Sequence, residues 1–238
     1  MLRRSAVWAV LVLTLTVSSA IGAPYQPQSK DNEAALDRVL RQMDSAGKKF
    51  VSFAAHFTLK RYTAVLKEFD IPDSGDFIYA RAKDGSALLR QEVTQPGHRI
   101  LTIKNSTLII FQPKIKQAQV VNLGKNKDKA EFLAIGIGQS PAKLRDTFTI
   151  RYQGEESVNG SPCSALVLTP KNPAGAAYFS SITLWIKKAT GVPIRQKLQE
   201  PSGDYELVDF TDEKLNTKVP DSKFEQKIPS GTEIQRLQ

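Results

Sequence analysis

The 238-residue chain has a single cysteine, Cys163. One thiol cannot bridge within its own chain, so no internal disulfide staples the fold and stability has to come from a core. Only two histidines occur, His56 and His98. They are far apart in sequence, and neither sits in an HExxH or CxxC spacing, so the usual metal-ligand patterns are excluded. There is no GxSxG elbow for a serine nucleophile. Gly136-Ile137-Gly138 lacks the GxGxxG or Walker spacing and reads as the end of a helix. Glu155 and Glu156 adjoin a turn and read as a solvated pair, and Cys163 reads as a buried thiol rather than a nucleophile. Nothing in the sequence assembles an acid, a base and a nucleophile, so binding is expected rather than catalysis, with no cofactor. Blocks of five or six like charges are missing as well, although the formal net charge is +9. The excess is scattered over Lys48 and Lys49, Lys114 and Lys116, Lys125 to Lys129, and Lys187 and Lys188. Such a surface suits acidic lipid headgroups or acidic proteins, or serves solubility alone; nucleic acid is not an expected partner.

The one long apolar run is too short to span a bilayer, which takes about 20 residues. It covers Ala6 to Val17, follows Arg3 and Arg4, and precedes the small residues Ser18, Ser19, Ala20, Gly22 and Ala23. That order is the layout of a secretory signal peptide. Residues 1–23 are therefore expected to be removed, with cleavage after Ala20 or Ala23, and no cysteine lies there to take a lipid. The expected product is an exported protein. Residues 24–238 remain, enough for one domain that buries about 70% of its unfolded surface.

Periodicity then sets the elements. Leu36, Val39, Leu40 and Met43 recur at helical spacing, after a cap at Asp31 or Asn32 and before a stop at Gly47. Phe53, Ala55, Phe57 and Leu59 alternate with polar residues as in a half-buried strand. Further strands are predicted over 64–71, 77–81, 88–93, 100–103, 108–111 and 117–123. Pro72 to Gly75 and Gln95 to Gly97 read as turns. Residues 128–137 read as a helix, and Ser140-Pro141 opens another, since proline is tolerated where the first donor is unpaired anyway. Strands return over 147–152, 164–169, 181–187, 193–200 and 204–211, ahead of a polar tail with isolated Phe224, Ile228 and Ile234. About ten or eleven strands joined by short turns imply antiparallel pairing. The fold class is α+β, a large curved antiparallel sheet with helices on one side.

So few helices have much concave surface to cover. Either helices and tail fill the hollow, or an apolar cavity remains. The candidates for its lining follow from strand faces. Phe53, Phe57 and Leu59 share one face, Phe77 and Tyr79 share a face with Arg81, and Leu89 and Val93 lie opposite Arg90 and Glu92. Leu101 and Ile103 share another, and Phe132, Leu133 and Ile135 are candidates for a lid. Ordinary core packing is open for each. Leu108 to Phe111 is apolar on both faces.

Several segments, in order, resemble the LolA family of outer-membrane lipoprotein carriers. They are Phe53-Ala54-Ala55-His56-Phe57 after the first helix, then Gly75-Asp76-Phe77-Ile78-Tyr79-Ala80-Arg81, and the Gln95-Pro96 break. Thr107-Leu108-Ile109-Ile110-Phe111-Gln112-Pro113 and Gln117-Ala118-Gln119-Val120 follow. Leu168-Thr169-Pro170-Lys171 and a closing Phe224 before Pro229-Ser230-Gly231 complete the set. The resemblance implies a half-open antiparallel β-barrel with a helical lid over an apolar hollow. It implies a monomeric periplasmic chaperone that carries acylated lipoproteins from an inner-membrane ABC transporter to an outer-membrane acceptor. It also implies that Arg81 latches the lid by bonding its backbone. The alternative within the same fold is a lipid- or glycolipid-binding or sensing protein with other cargo.

Overall fold

The computed structural model describes residues 29–124 and 133–237. Helix α1 spans Lys30–Lys48. Its cap is Ser29, whose hydroxyl accepts from the Asn32 amide at 3.3 Å, rather than Asp31 or Asn32. The helix runs through Gly47 instead of stopping there. Ala35, Leu36, Val39, Leu40, Met43 and Gly47 are its buried residues, recurring at each turn of three or four residues so that they form one stripe.

The strands are β1 (Ser52–Thr63), β2 (Glu68–Phe69), β3 (Asp73–Arg81), β4 (Ala87–Gln95), β5 (Arg99–Lys104), β6 (Thr107–Gln112) and β7 (Gln117–Asn122). A helix α2 (Pro141–Thr147) precedes β8 (Phe148–Val158) and β9 (Ser161–Pro170). A single turn α3 (Pro173–Ala176) precedes β10 (Ser181–Lys187), β11 (Pro193–Gln199), β12 (Tyr205–Leu215) and β13 (Glu233–Leu237). They form one thirteen-stranded sheet in the order β13-β7-β6-β5-β4-β3-β1-β12-β11-β10-β9-β8, with β2 paired to β1. The two ends of that path, β13 and β8, leave the sheet open. Its strands pair antiparallel except β13, which runs parallel to β7. This is the curved, half-open antiparallel sheet with an N-terminal helix that the sequence implies.

β1 joins the two halves, pairing with β3 on one side and β12 on the other. On the β8–β11 side, the α1 stripe packs on Phe148, Ile150, Leu166, Leu168, Ile182, Leu184 and Ile186. On the β1–β6 side, Phe53, Phe57, Leu59, Phe77, Tyr79, Leu89, Val93 and Ile103 form a second inner cluster with Phe50 and Phe210. Alternation explains both, because side chains two apart share a face.

Several expectations are corrected. The strand over 64–71 is reduced to Glu68–Phe69, because residues 64–67 turn: the Lys67 amide donates to the Thr63 carbonyl at 2.8 Å. The turn expected at 72–75 is instead the start of β3. Asp73 is buried there between Arg61 and Arg99, at 3.1 and 3.0 Å. At Gly75 the sheet shifts register, and a Cβ would lie 1.8 Å from the Glu92 carbonyl oxygen. The helix over 128–137 does not extend through its described part: residues 133–138 form turns and bends.

The tail does not enter the hollow. It wraps the outer face, where Phe224 packs on Ala80 and Leu88 and Ile228 packs on Ile100, Phe111 and Ala118. That resolves the doubly apolar β6. Leu108 and Ile110 pair with Ile103 and Leu101 of the inner face, while Phe111 pairs with Ile100 under the tail. β13 was concealed in the sequence because all five of its residues are exposed.

Candidate functional site

The concave side is lined by aromatic rings on β1, β3 and β12 and by aliphatic side chains on β4–β6. Phe53 meets Phe210 edge-on with centroids 5.3 Å apart, Phe77 meets Phe210 at 5.3 Å, and Phe50 meets Tyr79 at 5.5 Å. Of the lining candidates, Phe53, Phe57, Leu59, Phe77, Tyr79, Leu89, Val93 and Ile103 are all buried in this one cluster, with Leu101 packed against it. The structure thus brings together residues from four strands that sequence reasoning could assign only strand by strand.

The hollow is filled by the chain itself. Residues 133–139 dip between the two clusters. Ala134 and Ile137 are fully buried in the aromatic one, and Ile135 is buried in the α1 one. Leu133, a lid candidate, is 41% exposed and does not enter the interior. Phe132 lies outside the described residues.

Four polar contacts hold this segment. Arg81, at the end of β3, donates through Nη2 to the Gly138 carbonyl. Its Nη1 reaches the Gly47 carbonyl at 3.5 Å, and its Cζ sits 5.5 Å from the Phe50 ring centre. Gln196 of β11 donates through Nε2 to the Ile135 carbonyl at 2.8 Å. The Gly136 amide donates to the Gln139 side-chain oxygen at 3.0 Å. Within the segment, the Ile137 amide donates to the Ala134 carbonyl at 2.9 Å. A buried backbone without hydrogen bonds would be costly, so these partners are what lets an irregular segment occupy an apolar interior.

Two glycines make the approach possible. At Gly138 φ is +64° and a Cβ would fall 2.4 Å from the Phe50 ring. At Gly136 φ is +80° and a Cβ would fall 2.7 Å from Leu184 Cδ1. The Gly136-Ile137-Gly138 stretch is therefore not a helix end but the turn that seats Ile137. Sequence reasoning missed Phe50, Phe210, Ile137 and Gln196. The paired glycines around a lone isoleucine were the one signal available for that turn.

A cleft of about 290 Å³ opens beside Phe50, lined also by Gln42, Ser45, Lys49, Thr190 and Asn216. Phe50 and Val192 of its lining also belong to the aromatic cluster.

The titratable groups are elsewhere and scattered. His98 Nε2 lies 2.9 Å from Glu92 Oε1, and His56 Nδ1 lies 3.5 Å from Asp76 Oδ1. Glu155 pairs with Lys188 at 2.5 Å on the surface. Cys163 is fully buried, and burial pushes its thiol pKa up, which keeps it protonated and unreactive. Among the described residues, no group of three or more His, Cys, Asp and Glu side chains is placed to hold a metal ion.

A curved open sheet whose aromatic concavity is filled by residues 133–139, with Arg81 bonded to the Gly138 carbonyl, is the arrangement that the chain presents. Residues 52–227 match the family described as outer membrane lipoprotein carrier protein LolA, and the chain belongs to that family. No curated protein sequence matches the chain. Among solved structures, MucB superposes with a TM-score of 0.52 at 18% identity, over 82% of this chain and 63% of that one. The Pseudomonas aeruginosa MucA/MucB complex matches at 17% identity with a TM-score of 0.48, over 83% of this chain and 61% of that one. An uncharacterized conserved protein from Thermus thermophilus gives a TM-score of 0.52 at 14% identity, over 85% of this chain and 99% of that one. The chain spans about three fifths of the length of the MucB chains. The two likenesses with a TM-score of 0.52 show the fold.

Proposed function

We propose that this protein is a periplasmic carrier of acylated lipoproteins, exported by a cleaved signal peptide over residues 1–23 and folded as one domain over 24–238. In this reading the lid segment and an acyl chain compete for the same hollow. Phe53, Phe57, Leu59, Phe77, Tyr79, Leu89, Val93, Leu101 and Ile103 line it, and Ile135 belongs to the lid. Arg81 is the latch. The observation that carries the reading is the Arg81 to Gly138 bond, which ties a lid seated among aromatic side chains to a strand end.

The energetics favour exchange. Withdrawing Ile135 and Ile137 costs about 3–6 kcal/mol, at 1.5–3 kcal/mol for each side chain. Each buried methylene returns about 0.8 kcal/mol, so roughly four to eight methylenes offset the loss. An ordinary fatty chain exceeds that length. Because the lid competes, the net grip is weaker than the buried area suggests. That permits release to a stronger acceptor, with each 1.4 kcal/mol of difference worth tenfold. Receipt from an inner-membrane ABC transporter and delivery to an outer-membrane acceptor complete the proposal.

The test is purification without detergent, followed by mass spectrometry of bound acyl species and transfer to acceptor membranes. Arg81→Leu removes the latch. Its cargo retention is expected to rise about tenfold or more, for the loss of one charge-assisted hydrogen bond of 1.5–3 kcal/mol. Unchanged retention would remove Arg81 from the mechanism. A bound glycolipid in place of lipoprotein would make the protein a lipid-binding or sensing member of the same fold.

A further inference from the structure

The far end of β1 from the latch carries an apolar tip that the lid mechanism does not use. Residues 64–67 turn the chain between β1 and β2, and Val65 and Leu66 stand 89% and 62% exposed at the apex. Phe69 and Ile71, on the return, are 47% and 75% exposed. Behind the apex is a collar of rings. Tyr62 stacks on Tyr205 at 4.8 Å, and Phe69 meets them edge-on at 5.2 and 5.8 Å. Lys197 lies over the Tyr205 ring at 4.1 Å, and Lys67 sits in the turn itself.

The tip is held firmly. The Ala64 amide donates to Asp204 Oδ1 at 2.7 Å, tying the apex to the β11–β12 turn. The Lys67 amide closes on the Thr63 carbonyl at 2.8 Å and the Asp70 amide on the Arg61 carbonyl at 2.9 Å. At its base Arg61 bridges Asp73 and Glu206. A soluble chain rarely spends this much order on presenting apolar side chains to water, and grouped exposure of this kind marks an interaction surface.

We infer that the β1–β2 tip is a membrane-touching element, which places Val65 and Leu66 among lipid acyl chains at the surface of a bilayer. Three features point to a bilayer rather than a protein groove. The apex carries Val65 and Leu66 in the open. Behind it are tyrosine and phenylalanine rings, whose amphipathic character suits the headgroup level. Lys67 in the turn and Lys197 at the ring collar have stems that cover apolar surface while the amines reach water. In the hairpin Glu68 and Asp70 balance Lys60 and Lys67, and Arg61 is paired with Asp73 and Glu206, so the contact is apolar and is not an attraction to anionic headgroups. The inference concerns where the protein touches membranes and does not depend on what the hollow carries.

The test uses the full chain with vesicles of phosphatidylethanolamine and phosphatidylglycerol. All variants share the same N-terminus, so differences between them report the tip. Val65→Ser with Leu66→Ser is expected to lower vesicle partitioning about a hundredfold, near tenfold for each apolar side chain withdrawn from lipid. The change should persist at high salt and in vesicles of phosphatidylcholine alone. Leu66→Trp is expected to shift its emission to the blue and to be quenched by lipids brominated in the acyl chain. Val51→Trp, at the opposite end of β1, is expected to show neither effect beyond the background of Trp8 and Trp185 that all variants share with the parent protein. Equal partitioning of the serine variant, or equal quenching of the two tryptophans, overturns the inference. So does binding that appears only when a membrane protein is present in the vesicle, which would make the tip a protein-docking finger.

Discussion

An alanine methyl at Gly138 would lie 2.4 Å from the Phe50 ring, on backbone with φ of +64° that L side chains rarely adopt. Both effects act only while the lid is closed, because a withdrawn segment is free to take another conformation. Gly138→Ala is therefore expected to bias the lid outward by roughly 1–3 kcal/mol, the usual cost of a strained backbone position. Hydrogen exchange at residues 133–139 should speed up by about 5- to 150-fold while the strands exchange as before. If those amides stay as protected as in the parent protein, the glycine is not what lets the lid shut. The same residue shows where sequence reading stops. Gly136-Ile137-Gly138 was plain as a punctuation mark, but whether it ended a helix or seated a plug depended on Phe50 and Leu184, which are distant in the chain. Face assignment worked better on regular strands. Phe53, Phe57, Phe77 and Leu89 could be placed by counting in twos, and they converge in one cluster.

The elements most legible in the sequence were those with one wet face. α1 and β10 are of that kind, and β10 spans Ser181–Lys187 as its alternation predicts. The β3–β7 half was less legible because the tail covers its outer face, so both sides of β6 are apolar. The edge of this half carries a charge cluster with its own pH dependence. Burial alone would raise the Glu92 pKa. The hydrogen bonds from Arg90 and His98 outweigh it and hold the carboxyl below its ordinary 4.5. A carboxyl whose pKa is lowered by folding stabilises the fold above its unfolded value, and the contribution is lost as pH falls through the folded one. The β4–β5 connection should therefore loosen in acid, beginning below about pH 4.5. Glu92→Gln should flatten that limb of a stability-against-pH curve while leaving the lid unaffected. A curve of unchanged shape would mean that the Arg90–Glu92–His98 cluster contributes nothing.

At the scale of the whole molecule, the open sheet is a frame that holds the proposed latch and the proposed membrane tip at opposite ends. β1 runs between them. Near its start are Arg81, Phe50 and the lid, and at its finish is the Val65–Leu66 tip. With the two at opposite ends, the proposed lid movement would leave the tip undisturbed. If the lid and an acyl chain compete, adding a long-chain fatty acid such as palmitate should release the amides of 133–139 to exchange. The amides of β1 and β3 should keep their protection. Palmitate bound with the lid still protected would place the apolar site elsewhere, the cleft beside Phe50 being the first candidate.

By itself, the sequence determined the class. Period-two strands in short-turn succession can only pair antiparallel, one amphipathic helix cannot cover so many strands, and the ordered segments from Phe53 to Pro229 carry the family. Only the tertiary structure decided what occupies the hollow, that the tail lies outside it, and that Val65 and Leu66 are exposed among the described residues. The reason is physical. Periodicity reports which face of an element is apolar, but apolar surface is satisfied equally well by any neighbour. Which one arrives is settled by contacts between residues far apart in the chain, such as Arg81 with Gly138 and Gln196 with Ile135.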